Sequence, residues 1–285
     1  LKNFVINPVL NKEFKLRFRS YKSFLGLLFY LLALAILIVG FVFIESLTSS
    51  QGFFKPEQSR MMFMMLSVLQ LILILFITPG LTAGVISSER ERQTLNIMLT
   101  TAQSSASIIL SKLISSISFL MLLIIASLPL YSFVFLYGGI SPQQVLTTVV
   151  YYSFTILGFG SLGVLFSTLI RKTIVSMVTT YAVTLFLVGG TAFLTLILLQ
   201  FGQGYYNTST ASTPPTVPYA YFTAMLNPVI VLAGSFEPGI HDEIYRITGI
   251  KTPLWVSYTL SYTVIFIGAI LFSIKKLRPN MKKGK

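Results

Sequence analysis

Residues 86–101 read ISSERERQTLNIMLTT. Four consecutive charges, Glu89, Arg90, Glu91 and Arg92, stand there in a chain of 285 residues of which only 10% are charged. Two acids and two bases at a bilayer centre would cost about 3 kcal/mol each, so the block belongs at a membrane surface, free to meet something else. Ser88 and Glu91 have the S-x-x-E spacing of a capping box, and the two acids suit the positive end of a helix dipole. Leu95, Met98, Leu99 and Ala102 follow at i, i+3, i+4 and i+7, an apolar stripe. The spacing predicts one helix over residues 88–104, too short and too polar to span, with a charged head built for docking.

Other residues invite chemistry less convincingly. Gly158-Phe159-Gly160-Ser161-Leu162-Gly163 matches G-x-G-x-x-G. A dinucleotide site needs a preceding strand and a distal acid, whereas this run lies in an uncharged apolar segment, where small residues serve close helix packing. His241-Asp242-Glu243 holds three metal-ligand types, but adjacent residues rarely converge on one ion, and an exposed acidic rim is the better reading. Asn207-Thr208-Ser209 is a glycosylation sequon, irrelevant in a bacterial source. The chain has one His and no Cys, which leaves no catalytic thiol and little material for a His-dependent triad. No G-x-x-x-x-G-K-[ST] phosphate loop occurs.

The elements that must position the charged block are membrane spans. Hydrophobic residues make up 54% of the chain, against a soluble norm of roughly 25% charged residues that this sequence does not approach. A span needs about 20 apolar residues, and six runs qualify: 24–44, 61–81, 113–136, 145–170, 173–199 and 254–274. The first run is too long for a cleavable signal peptide and lacks a small-residue cleavage site. Between the third and fourth runs, Tyr137-Gly138-Gly139-Ile140-Ser141-Pro142 is a turn signal.

Orientation follows from the basic residues. With the N-terminus inside, 17 of the 21 Lys and Arg fall on the inner side. Both termini and residues 88–104 are then cytoplasmic. The net charge of +13 is a topology signal on this reading, not a nucleic-acid footprint. Near the N-terminus, Asn7-Pro8 reads as a cap followed by a first-turn proline. Leu10, Phe14, Phe18 and Tyr21 then recur at helical spacing opposite Lys12, Lys15, Arg19 and Lys22, which predicts an interfacial amphipathic helix over residues 1–22. Residues 201–253 form the longest outer segment. Their apolar part, 219–236, is interrupted by Asn227-Pro228, and a further full span there would put the basic tail outside. A re-entrant segment resolves the conflict, provided protein or water lines its non-helical backbone.

The expected fold is therefore an all-α membrane protein: one transmembrane domain, residues 1–285, with six transmembrane helices, an N-terminal interfacial helix, a short cytoplasmic helix and an extracellular re-entrant segment before the last span. No span carries an acid or base near its middle, which disfavours an ion-coupled carrier and favours an engine outside the membrane. Spans rich in Phe, Tyr, Leu, Ser and Thr suit an amphiphilic or apolar cargo.

The run GVISSERERQTLNIMLTT followed by SIILSKL resembles the signature of type-2 ABC transporter permeases, and NPVLNKEFKLRFRS is similar to the interfacial helix of the same family. Where that family carries a Pro after the Leu-rich end, Ala102-Gln103-Ser104 stands here. The resemblance implies that residues 88–104 are the coupling helix, with Glu89, Arg90, Glu91, Arg92, Thr94, Leu95, Met98 and Leu99 facing a separate ATPase. It adds Leu10, Glu13, Phe14, Arg17 and Phe18 as the working residues of the interfacial helix. It implies a permease subunit of an ATP-driven exporter in the bacterial plasma membrane, exporting a lipid-linked molecule, peptide or drug. The chain itself would be no enzyme and bind no cofactor or metal, with ATP and magnesium on the ATPase subunits. Its other partners would be a second permease subunit, identical or related, and membrane lipid, with no nucleic acid. The alternative function is an ABC-type sensor or resistance module that transmits a signal without moving a substrate.

Overall fold

The computed structural model describes residues 18–48, 56–95, 104–136, 140–208 and 216–277. Among these every regular element is helical. In chain order they are α1 (Tyr21–Thr48), α2 (Pro56–Thr82), α3 (Ser87–Glu91), α4 (Ser105–Leu136), α5 (Pro142–Leu169), α6 (Thr173–Leu185), a π-helical turn (Phe186–Gly190), α7 (Thr191–Thr208), α8 (Tyr219–Leu226), α9 (Pro228–Phe236), α10 (Pro238–Thr248) and α11 (Leu254–Leu277). Six stretches are long and apolar enough to cross a membrane, and the pair α8–α9 is bent by 93°. The chain is an all-α, multi-span membrane protein. The helices outrun the apolar segments at several ends, because polar residues such as Ser105 and Lys112 continue the helix of α4 where hydropathy alone stops.

Contacts divide the chain into two compact units, Leu1–Thr180 with Phe266–Lys285, and Tyr181–Ile265. In the first, α2 packs against α5, α4 and α1. Its interior is tied by polar pairs: Gln70 Nε2 donates to Ser127 Oγ at 2.8 Å, Tyr131 donates to Gln70 Oε1, and Tyr152 donates to the Ser67 carbonyl at 2.8 Å. Such bonds are fully desolvated here, so each pins two helices in one register. The turn signal before α5 is used as expected for its last two residues. Ser141 Oγ accepts from Gln144 N at 3.3 Å, Gln144 Oε1 accepts from Ser141 N at 3.2 Å, and Pro142 takes the first turn.

The second unit is organised around Asn227, at the break between α8 and α9. Its Oδ1 accepts from Val229 N and Ile230 N at 2.9 and 3.0 Å, capping α9. Its Nδ2 donates to Val188 O at 2.6 Å and Thr191 Oγ1 at 2.9 Å. Val188 lies in the π-helical turn, where the widened ring changes which carbonyls the helix itself satisfies. Tyr262 OH supplies the Leu226 carbonyl at 2.9 Å. The interrupted backbone is thus satisfied by protein, the condition a re-entrant segment must meet in lipid. Asn227→Ala removes both the cap and the donor to Val188. It is expected to cost about 1.5 kcal/mol, read as lowered thermal stability in detergent, with Asn227→Asp recovering only the cap.

One helix was not foreseen. Residues 238–248 were read as part of the outer loop, yet they form α10, with Ile244 and Ile247 buried and Pro238, Asp242 and Arg246 outward. It is stopped by Gly249, whose φ of 73° is the left-handed conformation that glycine adopts without steric penalty. Its apolar face is only three isoleucines wide, too thin to register in a hydropathy reading.

Candidate functional site

The charged block follows directly on α2. Thr78 and Thr82 return their hydroxyls to the carbonyls of Ile74 and Thr78 at 2.6 and 2.8 Å, and α2 stays helical past Pro79-Gly80 to Thr82. Residues 83–86 then turn, and α3 begins. The predicted Ser88–Glu91 capping box does not form. Ile86 occupies the N-cap without a side-chain bond, and the free amides of Ile86 and Ser87 donate to Ser167 Oγ of α5, at 2.8 and 3.0 Å. A cap borrowed from a neighbouring span stands in place of the local one, and Glu91 is engaged elsewhere, on Thr173.

Glu91 is turned to another helix. Its Oε1 accepts from Thr173 N at 2.9 Å and its Oε2 from Thr173 Oγ1 at 2.7 Å. A carboxylate therefore sits on the first residue of α6, where the helix dipole favours negative charge. Arg90 donates to the Thr168 carbonyl at the end of α5, at 3.1 Å. Glu89 binds Lys112 Nζ of α4 through Oε1 at 3.2 Å and receives the Thr94 hydroxyl on Oε2. The side chain of Lys112 is 3% exposed and that of Glu89 24%, so this ion pair is largely desolvated. Ser176 of α6 adds a bond to the Ala83 carbonyl at 2.7 Å.

Within the described residues the expected single helix over residues 88–104 is interrupted, while residues 96–103 lie outside the described residues. α3 ends at Glu91, Arg92 has ψ near 0°, Gln93 has a positive φ of 58°, and Thr94 and Leu95 are helical again. That left-handed residue reverses the chain in the manner of a helix C-terminus, with Gln93 N donating to Arg90 O at 3.1 Å. The reversal delivers Leu95 into a core with Ile86, Ile108, Leu113 and Val164. Burial of Leu95 offsets the left-handed conformation that no local signal announced.

The candidate residues are thus sorted by position. Glu89 and Arg90 are half-buried and bound to α4 and α5; Glu91 and Arg92 are exposed; Thr94 is half-buried and Leu95 buried. Phe18 stands 6.3 Å, ring to ring, from Phe119 of α4. Met98, Leu99, Leu10, Glu13, Phe14 and Arg17 lie outside the described residues. Sequence reasoning missed Lys112, Ser167, Thr168 and Thr173. Lys112 stands just before the apolar run 113–136, where a basic residue reads as a topology flank, and the others are Ser and Thr near span ends, a signal too common to single out. The glycine run lies in α5, where Gly163 makes a close approach to Thr82: a Cβ there would stand 2.0 Å from Thr82 Oγ1.

This arrangement joins a five-residue charged helix to the ends of three long helices, α4, α5 and α6, by bonds of opposite sense on every side. No known family model matches the chain, and no curated protein sequence matches it significantly.

Proposed function

We propose that the chain is the transmembrane permease subunit of an ATP-driven exporter of the ABC class. It lies in a bacterial plasma membrane with both termini cytoplasmic and works with separate ATPase subunits and a second permease subunit. The observation that carries this reading is the triple tie of α3: Glu89 to α4, Arg90 to α5, Glu91 to α6. A short helix held this way transmits a push from outside the membrane to three spans at once, since packed elements move as bodies instead of deforming. The resemblance of residues 84–101 to the coupling segment of type-2 ABC permeases supports the same reading. ATP and magnesium belong on the partner, the cargo is an amphiphilic or apolar molecule, and the exposed Glu91–Arg92 edge is the part of the lever left for the ATPase to touch.

The absence of Cys from the chain gives a clean test. Arg92→Cys is expressed in the native host and crosslinked in membranes through its single thiol, and the adduct is identified by mass spectrometry. An adduct with a protein that carries a nucleotide-binding phosphate loop is expected, with a yield that changes when ATP is added. Adducts lacking any nucleotide-hydrolysing protein would overturn the reading, as would a thiol that reacts only with impermeant reagent applied from outside the cell. An ATPase adduct with no ATP-driven transport in proteoliposomes would favour the signalling module over the exporter.

A further inference from the structure

We propose that the half-open cavity lined by α9, α10 and the first turn of α11 is a binding site for the ammonium head group of a cationic amphiphile. The cavity measures about 210 Å³, and its lining includes Val231 and Ser235 from α9, His241 and Asp242 from α10, and Leu254 and Trp255 from α11. Drug-sized pockets run to roughly 300–1,000 Å³, so this one takes a head group and leaves the tail outside.

The lining selects charge. The chain carries 21 Lys and Arg against 8 Asp and Glu, yet no Lys or Arg lines this cavity. Asp242 does, and it has no hydrogen-bond or ion-pair partner among the described residues although Arg246 stands one helical turn away. The neighbouring Glu243 is engaged differently, accepting the amide of Gln203. Glu237, at the N-cap of α10, places a second exposed carboxylate on the same short helix. Trp255 is 62% exposed and offers an indole face, the best of the aromatic surfaces for a cation. A carboxylate with an indole beside it and apolar walls behind suits an alkylated ammonium. A hard metal ion would require several more oxygens than one lining carboxylate supplies. An anionic head group would meet Asp242 with no Lys or Arg in the lining to offset the repulsion.

Position selects the tail. Trp255 is in the first turn of a helix long and apolar enough to span, where amphipathic rings mark the membrane–water boundary. Along the same helix Val256, Leu260 and Val264 recur every fourth residue and are exposed, an apolar track for an alkyl chain entering the bilayer. None of this depends on the export reading, because binding to the site is expected whether or not the molecule is moved.

The chain has one Trp, so the site reports on itself. The full chain is placed in nanodiscs of phosphatidylglycerol, which carries no ammonium, and selectively excited Trp fluorescence is followed as dodecyltrimethylammonium is added. A saturable change is expected, with dodecyl sulfate and dodecyl maltoside giving none. Asp242→Asn should weaken binding roughly fivefold, the loss of one partly exposed charge contact, while Asp242→Glu and Glu57→Gln, a carboxylate that does not line the cavity, keep it. Since Asp242 is exposed and unpartnered, the Asn variant should melt as the parent does. Replacing half the lipid with phosphatidylethanolamine, set against the same replacement by an uncharged glycolipid that dilutes the membrane charge equally, tells the source: a titration shifted further right than the glycolipid control makes the resident lipid the ligand, and one that matches the control makes it a free cationic amphiphile. A non-saturating signal that is the same for the parent and Asp242→Asn, or an equal response to dodecyl sulfate, would overturn the proposal.

Discussion

Glu89→Ala will cost the protein about 3 kcal/mol of stability, the low end of what stranding a buried charge costs. The expected loss follows from the asymmetry of the pair. Lys112 is almost fully enclosed while Glu89 is about a quarter exposed, so removing the acid takes the carboxylate from an ammonium that water barely reaches, whereas removing the base leaves a carboxylate that still meets water and the Thr94 hydroxyl. Lys112→Met should therefore cost less, about 1 kcal/mol. The double variant Glu89→Ala/Lys112→Met should be more stable than Glu89→Ala alone, since it removes the enclosed ammonium together with its carboxylate. Thermal unfolding of the four proteins in one detergent closes the cycle. If Glu89→Ala melts within a degree or so of the parent, the Lys112 stem has swung its charge to the interface, and the ion pair does not hold α3 to α4. The same comparison bears on the lever. In the double variant the tie to α4 is gone while the bonds to α5 and α6 remain, so under the proposed export function stimulation of the partner ATPase should fall even where stability is recovered.

The spans were legible because their signal is coarse. Twenty apolar residues in a row have few alternatives to a membrane, and α1, α4 and α11 are found where such runs lie. Two local signals also carried over, Ser141-Pro142 at the start of α5 and Asn227-Pro228 at the break between α8 and α9, since caps and prolines act on their own neighbours. The charged block was legible as an object but not in its form. Ser88 and Glu91 had the spacing of a reciprocal cap, and nothing within the segment told that Ser167, some 80 residues on, would supply the cap, or that Thr173 would claim Glu91. The left-handed turn at Gln93 was hidden for the same reason, since the residue is not a glycine and the compensation comes from the distant residues around Leu95. α10 was lost to its composition: three isoleucines among polar residues read as a loop until neighbouring helices bury them.

Gly163→Ala will destabilise the chain by about 2–3 kcal/mol, and Gly160→Ala, one turn away in the same helix, by well under 1 kcal/mol. Both lie in the run that looks like a dinucleotide fingerprint, so a ligand-binding role would make them comparable in function and a packing role makes them unequal in stability. At Gly160 a methyl group would meet Leu113 Cδ1 at 3.5 Å and Thr82 Cγ2 at 3.7 Å, ordinary contact distances. At Gly163 it would stand 2.0 Å from Thr82 Oγ1, 2.8 Å from Thr82 Cβ and 3.3 Å from the amide nitrogen of Ala83. Thr82 cannot simply turn aside, because its hydroxyl is bonded to the Thr78 carbonyl and the side chain is fully buried. Thr82→Ala combined with Gly163→Ala should restore part of the loss by removing the hydroxyl, but not all of it, since the β-carbon and the backbone remain in the way. The residual cost measures how closely α5 is pressed on the turn after α2. That turn carries α3, so a helix forced away at Gly163 also draws Ser167 and Thr168 from Ile86, Ser87 and Arg90. A melting temperature that falls equally for the two alanine variants would show that α5 and α2 do not meet at Gly163, and the seat of the charged helix would have to be sought elsewhere.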